Sequence, residues 1–366
     1  MPDSLTPALL TFREEFSEFL LENSGSSEEE FRKLSLDRGY YRMAQPIELG
    51  GRASSAMEML IARETIAKSG ISYPGAIIGP EPGLLSKADG LLKSNYLIPL
   101  LQGEKKGAFA FTESNADLPT VAEWDDGHLV VSGKKSYVSG GHLSDFMSVV
   151  LTVDPEKVTD KSGPAVLVID SNSNGIKMGD PFYSLDGSSH VVVEFQSVNV
   201  DAANIIGEVG QGIPRALGNI MQERIEQSAT SVGLAMYALD IVTAHLKKPH
   251  RSGGTLSDFE GVRLRYADMR INTFAARSVL YRVGRLLGSG DSVVNEVTTA
   301  KIFCTEAASN VVDTAVQLVG GQALVSGHPL EDLYRKIRSM RLAGGASDIL
   351  RLNVSKGVFE FDSGIV

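Results

Sequence analysis

Apolar positions recur along this chain with spacings that change twice. Near the start, Leu9, Phe12, Phe16, Phe19 and Leu20 share one face of a 3.6-residue period. Thr6-Pro7 precedes them as an N-cap followed by proline at the first helical position, where its missing N–H is harmless. A second helix is expected from Ser54-Ser55 through Met57-Glu-Met-Leu-Ile-Ala-Arg-Glu-Thr-Ile, with Gly50-Gly51 breaking the chain ahead of it. From about residue 107 the pattern becomes short β-rich runs at 107–111, 129–132, 146–151, 165–169 and 191–195, separated by Asp126-Gly127, Ser139-Gly-Gly and Asp186-Gly187. Frequent strands without amphipathic helices between them predict an antiparallel sheet or barrel, not βαβ units. After Gly207-Glu-Val-Gly-Gln-Gly the helical period returns and holds to the end.

In that last stretch Ala300, Cys304, Ala307, Ala308, Val311, Ala315 and Leu318 form one stripe, and side chains so small predict close helix–helix contact in a bundle. Breaks near Pro249 and Gly288-Ser-Gly-Asp291 divide it into at least four helices. The expected architecture is α+β: an N-terminal helical domain (1–106), a central antiparallel β domain (107–206) and a C-terminal four-helix bundle domain (207–366). A chain of 366 residues with 43% hydrophobic and 22% charged residues can fill two or three such cores.

The formal charge of −10 argues against a general attraction to nucleic acid or anionic membrane. With Cys304 the only cysteine, no intrachain disulfide or thiolate metal cage can form, which suits a reducing compartment. The start, Met-Pro-Asp-Ser-Leu, has no basic region followed by an apolar run, and no stretch approaches the ~18 uninterrupted apolar residues of a membrane span. A cytoplasmic protein without membrane insertion is expected. The six histidines show no metal-ligand spacing, so no metal is expected. No nucleophile elbow, P-loop or dinucleotide-binding fingerprint is present.

Three stretches, in order, carry a resemblance. The first is Gly107-Ala-Phe-Ala-Phe-Thr-Glu, followed by Val131-Ser-Gly-Lys-Lys-Ser-Tyr-Val-Ser-Gly-Gly. The second is Glu223-Arg224 with Gly233, leading to Asp258-Phe-Glu and Tyr266-Ala-Asp-Met. The third is Gln317-Leu-Val-Gly-Gly, Leu333-Tyr-Arg and Gly345-Ala-Ser-Asp-Ile with Arg351. In this order and separation, over nearly the whole chain, they resemble the acyl-CoA dehydrogenases. That resemblance implies FAD as cofactor, α,β-dehydrogenation of an acyl-CoA to the 2-enoyl-CoA, and electrons passed to an electron-transfer flavoprotein. It also implies a homo- or hetero-tetramer, since cofactor sites in the family are shared between subunits.

By the same resemblance, Phe111, Thr112 and Ser139 match flavin-contacting positions and Tyr137 the aromatic that packs on the flavin. Gln317, Gly320 and Gly321 match the segment that reaches the nucleotide half of FAD from a neighbouring subunit. Asp348 stands near another nucleotide contact. The family's "R-x-x-F-G" aligns with Pro249-His-Arg-Ser-Gly, where arginine and phenylalanine are displaced; Arg251 is the substitute for the pyrophosphate contact.

Most members carry the catalytic glutamate directly before the glycine of "E-G-T". That position here is Gly344. Members resembling the isovaleryl and long-chain enzymes carry it on an earlier helix, before an arginine, which points to Glu223. On a helical period Glu223 shares a face with Ile220, Gln227 and Thr230, whereas Arg224 lies about 100° round and is not expected to lower its pKa. Glu226 and Glu113 are the rivals. The loop from Thr112 to Asp117 is about two residues shorter than the family's, and Ala346 replaces a hydroxyl. These departures keep two other readings open: a non-catalytic or half-site subunit of a hetero-oligomeric dehydrogenase, and a flavin oxidase or monooxygenase on the same fold.

Overall fold

The computed structural model describes residues 5–113, 119–156, 159–251, 253–289 and 293–364. The first four residues, the shortened loop at 114–118, Ser252 and part of the break near Gly288 lie outside these. The architecture is α+β, helical at both ends of the chain around a central sheet. Contacts gather the chain into two compact units. The helical unit comprises 1–43, 53–78 and 221–366, and the sheet unit 44–52 and 79–220. The change of period along the sequence divides the chain in three; contacts group the N-terminal helices with the C-terminal ones.

In the helical unit, α1 (Pro7–Glu22) starts at Thr6, whose hydroxyl accepts from the Leu9 N–H. Phe12, Phe16, Phe19 and Leu20 are buried along it, each Phe contributing roughly 2 kcal/mol. α2 (Glu28–Asp37) has a Ser27–Glu30 capping box, a start that periodicity alone missed because only Phe31 and Ser35 are buried on it. α3 (Ala56–Ser69) has the same device in Ser55 and Glu58, and α4 (Pro74–Ile77) is one turn.

In the sheet unit, α5 (Gly90–Leu92), a π turn and α6 (Ile98–Gln102) precede the strands. These are β1 (Gly107–Ala110), β2 (Val121–Asp125), β3 (His128–Ser139), β4 (Phe146–Val153), β5 (Gly163–Asp170), β6 (Ile176–Met178), β7 (Phe182–Tyr183) and β8 (Ser189–Asp201). β5 covers one edge of β4 from end to end, antiparallel, while β1 and then β2 pair with the other edge in parallel. The sheet is therefore mixed at β4, a departure from the antiparallel expectation, and antiparallel through β2, β3, β8, β6 and β7. Met147, Val149 and Leu151 of β4 enter a core with Leu167, Val193 and Phe195. Phe146 and Val150 pack on the opposite face with Tyr96, Leu97 and Leu101. Burial on both faces explains why β4 lacks the apolar–polar alternation of a half-exposed strand.

The last helices are α7 (Gly212–Leu246), α8 (Glu260–Ser289), α9 (Val294–Val319), α10 (Pro329–Met340) and α11 (Ser347–Phe361). α7 is long and apolar enough to cross a bilayer by length and composition, but 56% of its apolar window is buried in the protein, as in a core helix. At Gly233 a Cβ would lie 2.3 Å from the Glu64 carbonyl oxygen, so only glycine permits this approach of α3 to α7. The stripe from Ala300 to Ala315 on α9 is buried.

Candidate active-site residues

In the sheet unit the segment after β1 is pinned to β3. Lys135, buried, donates through Nζ to the Phe111 carbonyl (3.1 Å) and the Glu113 carboxylate (2.7 Å), and the Ser136 N–H donates to the Thr112 carbonyl (2.8 Å). The Thr120 N–H adds a bond to Glu113 (2.8 Å). Burial pushes the Glu113 carboxyl up, but the bonds from Lys135 and Thr120 outweigh it and hold the group below the usual carboxylate range.

The β3–β8 register shifts by one residue between Lys135 and Val138. In this bulge Tyr137 takes φ +53° and its ring stands 61% exposed, edge-on to Phe182 at 5.3 Å. Ser139 follows, exposed, opposite His190. The fold thus brings Phe111, Thr112, Tyr137 and Ser139 into one region.

In the helical unit Glu223 is half-buried on α7 and accepts from the Gln227 amide at 2.8 Å. A Cβ built on Gly344 would lie 3.4 Å from both polar atoms of that amide. Position 344, where most of the resembling family keeps its glutamate, therefore abuts the Glu223–Gln227 pair. The Gly344 carbonyl accepts from Arg224 Nε (2.8 Å) and the Gly345 carbonyl from Lys301 Nζ (2.8 Å). Both glycines have positive φ, +64° and +112°, which lets two adjacent carbonyls face cations from two different helices.

Burial raises the Glu223 pKa above its ordinary value, against the pull of Lys301, Arg224 and the Gln227 bond. Arg224 thus does lower it, contrary to the expectation from helical geometry, because charge acts through space in a poorly solvated site without contact. Burial, with Arg224 beside it, pushes Lys301 down to about 8. Glu226 forms an ion pair with Arg63 at 3.1 Å.

The remaining expected contacts occupy three separate places in the helical unit. Arg251 is exposed in the turn after α7, closed by the His250 N–H on the Gly254 carbonyl (2.9 Å). Gln317 is exposed in the last turn of α9, which Gly320 caps at φ +79° before a 3-10 turn opens at Gly321. Asp348 is exposed in the first turn of α11, 3.7 Å from Arg351. Sequence reasoning missed Lys135 and Lys301. Lys301 carried a signal: a lysine on the row Val297, Lys301, Thr305, Ala308, Val312, otherwise free of charge.

Residues 210–359 match the family model for the acyl-CoA dehydrogenase C-terminal domain. A short-chain specific acyl-CoA dehydrogenase of Clostridium acetobutylicum is 28% identical over 85% of both chains. The caffeyl-CoA reductase-Etf complex subunit CarC of Acetobacterium woodii is 27% identical over 92% of this chain and 91% of its own. The fold is shared with butyryl-CoA dehydrogenase of Megasphaera elsdenii, at TM-score 0.83 and 22% identity over 98% of this chain and 100% of that one. Residues 210–359 thus carry the C-terminal domain of the acyl-CoA dehydrogenases, oxidoreductases acting on a CH–CH group, and over most of its length the chain is similar to members of that family.

Proposed function

We propose that this protein is an FAD-dependent acyl-CoA dehydrogenase in which Glu223 takes the α-proton of an acyl thioester and the 2-enoyl-CoA is formed. The observation that carries this reading is the setting of Glu223: a half-buried carboxylate of raised pKa, bonded to a neutral amide, against the glycine that stands in the usual base position. A carboxylate so placed is a stronger base than one in water. Gln227 orients it, and the Arg224 and Lys301 bonds hold the 344–345 loop beside it.

The donors of the sheet unit suit FAD: neutral hydroxyls at Thr112 and Ser139, and an exposed ring at Tyr137 for a planar ligand to pack on. Phe111, Thr112, Tyr137 and Ser139 would hold the ring system; Arg251, Gln317, Gly320, Gly321 and Asp348 would hold the nucleotide half across a subunit boundary in a tetramer. Bound FAD supplies the acceptor for the β-hydride. An electron-transfer flavoprotein in the cytoplasm is the expected redox partner, a reading supported by the Etf complex named for the A. woodii relative.

The test is anaerobic mixing of the FAD-loaded protein with a panel of acyl-CoAs. Bleaching of the flavin by one of them, with enoyl-CoA formed, is the expected result; a loaded protein that none bleaches sinks the proposal. Product formed only with reduced flavin and oxygen favours an oxidase or monooxygenase. Gly344 and the displaced Arg251 favour one second reading, a subunit completed by a partner. Activity only on co-assembly with a family member that retains "E-G-T" and "R-x-x-F-G" would establish it.

A further inference from the structure

His190 of β8 stands directly opposite Ser139 of β3. Its Nδ1 lies 3.0 Å from Ser139 Oγ, and its Nε2 lies 2.8 Å from Ser184 Oγ and 3.3 Å from Ser188 Oγ. The ring also meets Tyr137 at 5.9 Å and Phe182 at 5.6 Å. Tyr137 is 61% exposed and packs edge-on to Phe182, so this corner presents an aromatic surface.

A neutral imidazole has one N–H and one bare nitrogen. Its two sides must therefore treat their serines in opposite ways. With hydrogen on Nδ1, Ser139 accepts from the ring and its own O–H is left to donate outward, while Ser184 donates to Nε2. With hydrogen on Nε2, Ser139 donates its O–H to Nδ1 and offers only a lone pair outward, while Ser184 or Ser188 accepts. The outward character of Ser139 is thus set by where one proton sits on His190.

We infer that His190 is a positioning residue whose tautomer decides whether Ser139 presents a donor or an acceptor to the flavin. This rests on the reading that Ser139 faces the flavin. If Ser139 meets the flavin nitrogen that takes the hydride, it would face an acceptor when bound FAD is oxidised and an N–H when it is reduced. The demand on Ser139 therefore reverses with the redox state. His190 follows it by losing a proton at Nδ1 and gaining one at Nε2, exchanging both with water at this exposed rim. The exchange leaves the ring's proton count unchanged, and no electron moves through it.

A purely structural role, tying β7 to the sheet, would not respond to redox state. The experiment is the reduced-minus-oxidised infrared difference spectrum of the FAD-loaded protein carrying isotopically labelled histidine. The expected result is a tautomer band pair, loss of Nδ1–H and gain of Nε2–H. It should be lost in His190→Leu and also in Ser139→Ala, which retains His190 but removes its link to the flavin. A wild-type protein with FAD bound and no histidine band on reduction overturns the inference, as does a band that survives Ser139→Ala. Should His190→Leu not fold, Ser139→Ala alone decides. A chain that binds no FAD removes the underlying reading instead, and shows itself by its flavin content.

Discussion

Each unit of this protein buries a lysine near a glutamate, and the two pairs come out as opposites. In the sheet unit Lys135 is bonded directly to Glu113 at 2.7 Å, and the carboxyl is held below its ordinary pKa. In the helical unit Lys301, 0% exposed, spends its bond on the Gly345 carbonyl, Glu223 takes its bond from the Gln227 amide, and the carboxyl is raised. A direct cation contact compensates the cost of burying a carboxylate and leaves it a structural anion. An amide contact compensates it only in part, and the residual desolvation appears as basicity. Glu113 is thereby the weaker candidate for a base, although both glutamates lie beside a buried lysine.

The comparison is broken most directly at its reactive end. Glu223→Gln keeps size and bonding capacity, and should slow flavin reduction by acyl-CoA by a factor on the order of 10²–10⁴ with FAD content unchanged. Rapid-mixing measurement of flavin bleaching checks this; bleaching at the wild-type rate would transfer the role to Glu226 or a partner.

Next, Lys135→Met should cost about 3 kcal/mol in denaturant unfolding, because it takes the cation from the Glu113 carboxylate, which keeps only the Thr120 N–H, and the donor from the Phe111 carbonyl. Adding Glu113→Gln should recover part of that loss. An unchanged midpoint for the single variant would mean that the pair is idle.

Lys301→Met removes the cation that most lowers the Glu223 pKa, so the acid limb of the pH–rate profile for flavin reduction should move to higher pH. No movement of that limb would separate Lys301 from the base.

The smallest expected effect concerns stability. A carboxyl raised in the folded state binds more protons there than in the unfolded chain between its ordinary and its raised pKa, so stability falls as pH rises through that window. Glu223→Gln should therefore be more stable than wild type at neutral pH, with the difference vanishing below the ordinary glutamate range. Thermal melts at the two pH values decide it, and a constant offset between the proteins would contradict the linkage.

What the sequence showed was whatever depends on residues a few positions apart. Thr6 and Ser55 cap their helices through bonds to the third residue on, so composition placed both starts. The α9 stripe from Ala300 was legible because burial of one helix face repeats every turn. The family segments at 107–113, 223–224 and 317–321 were legible as strings. β6 and β7 were not, having too few residues for any period to register.

Only the tertiary structure decided the rest, because it rests on contacts between distant residues. The parallel pairing of β1 and β2 with one edge of β4 joins segments tens of residues apart, and strand patterns look alike in either direction. Tyr137 is swung outward by a register shift that exists only when β3 meets β8. Glu223 could be singled out in sequence, but its basicity could not be read there. It depends on Gln227 reaching it, on Gly344 returning to that amide from far along the chain, and on a lysine committed to a carbonyl rather than to the carboxylate. Helical spacing places a side chain on a face; the solvent it loses and the partner it finds are fixed only when other elements close over that face.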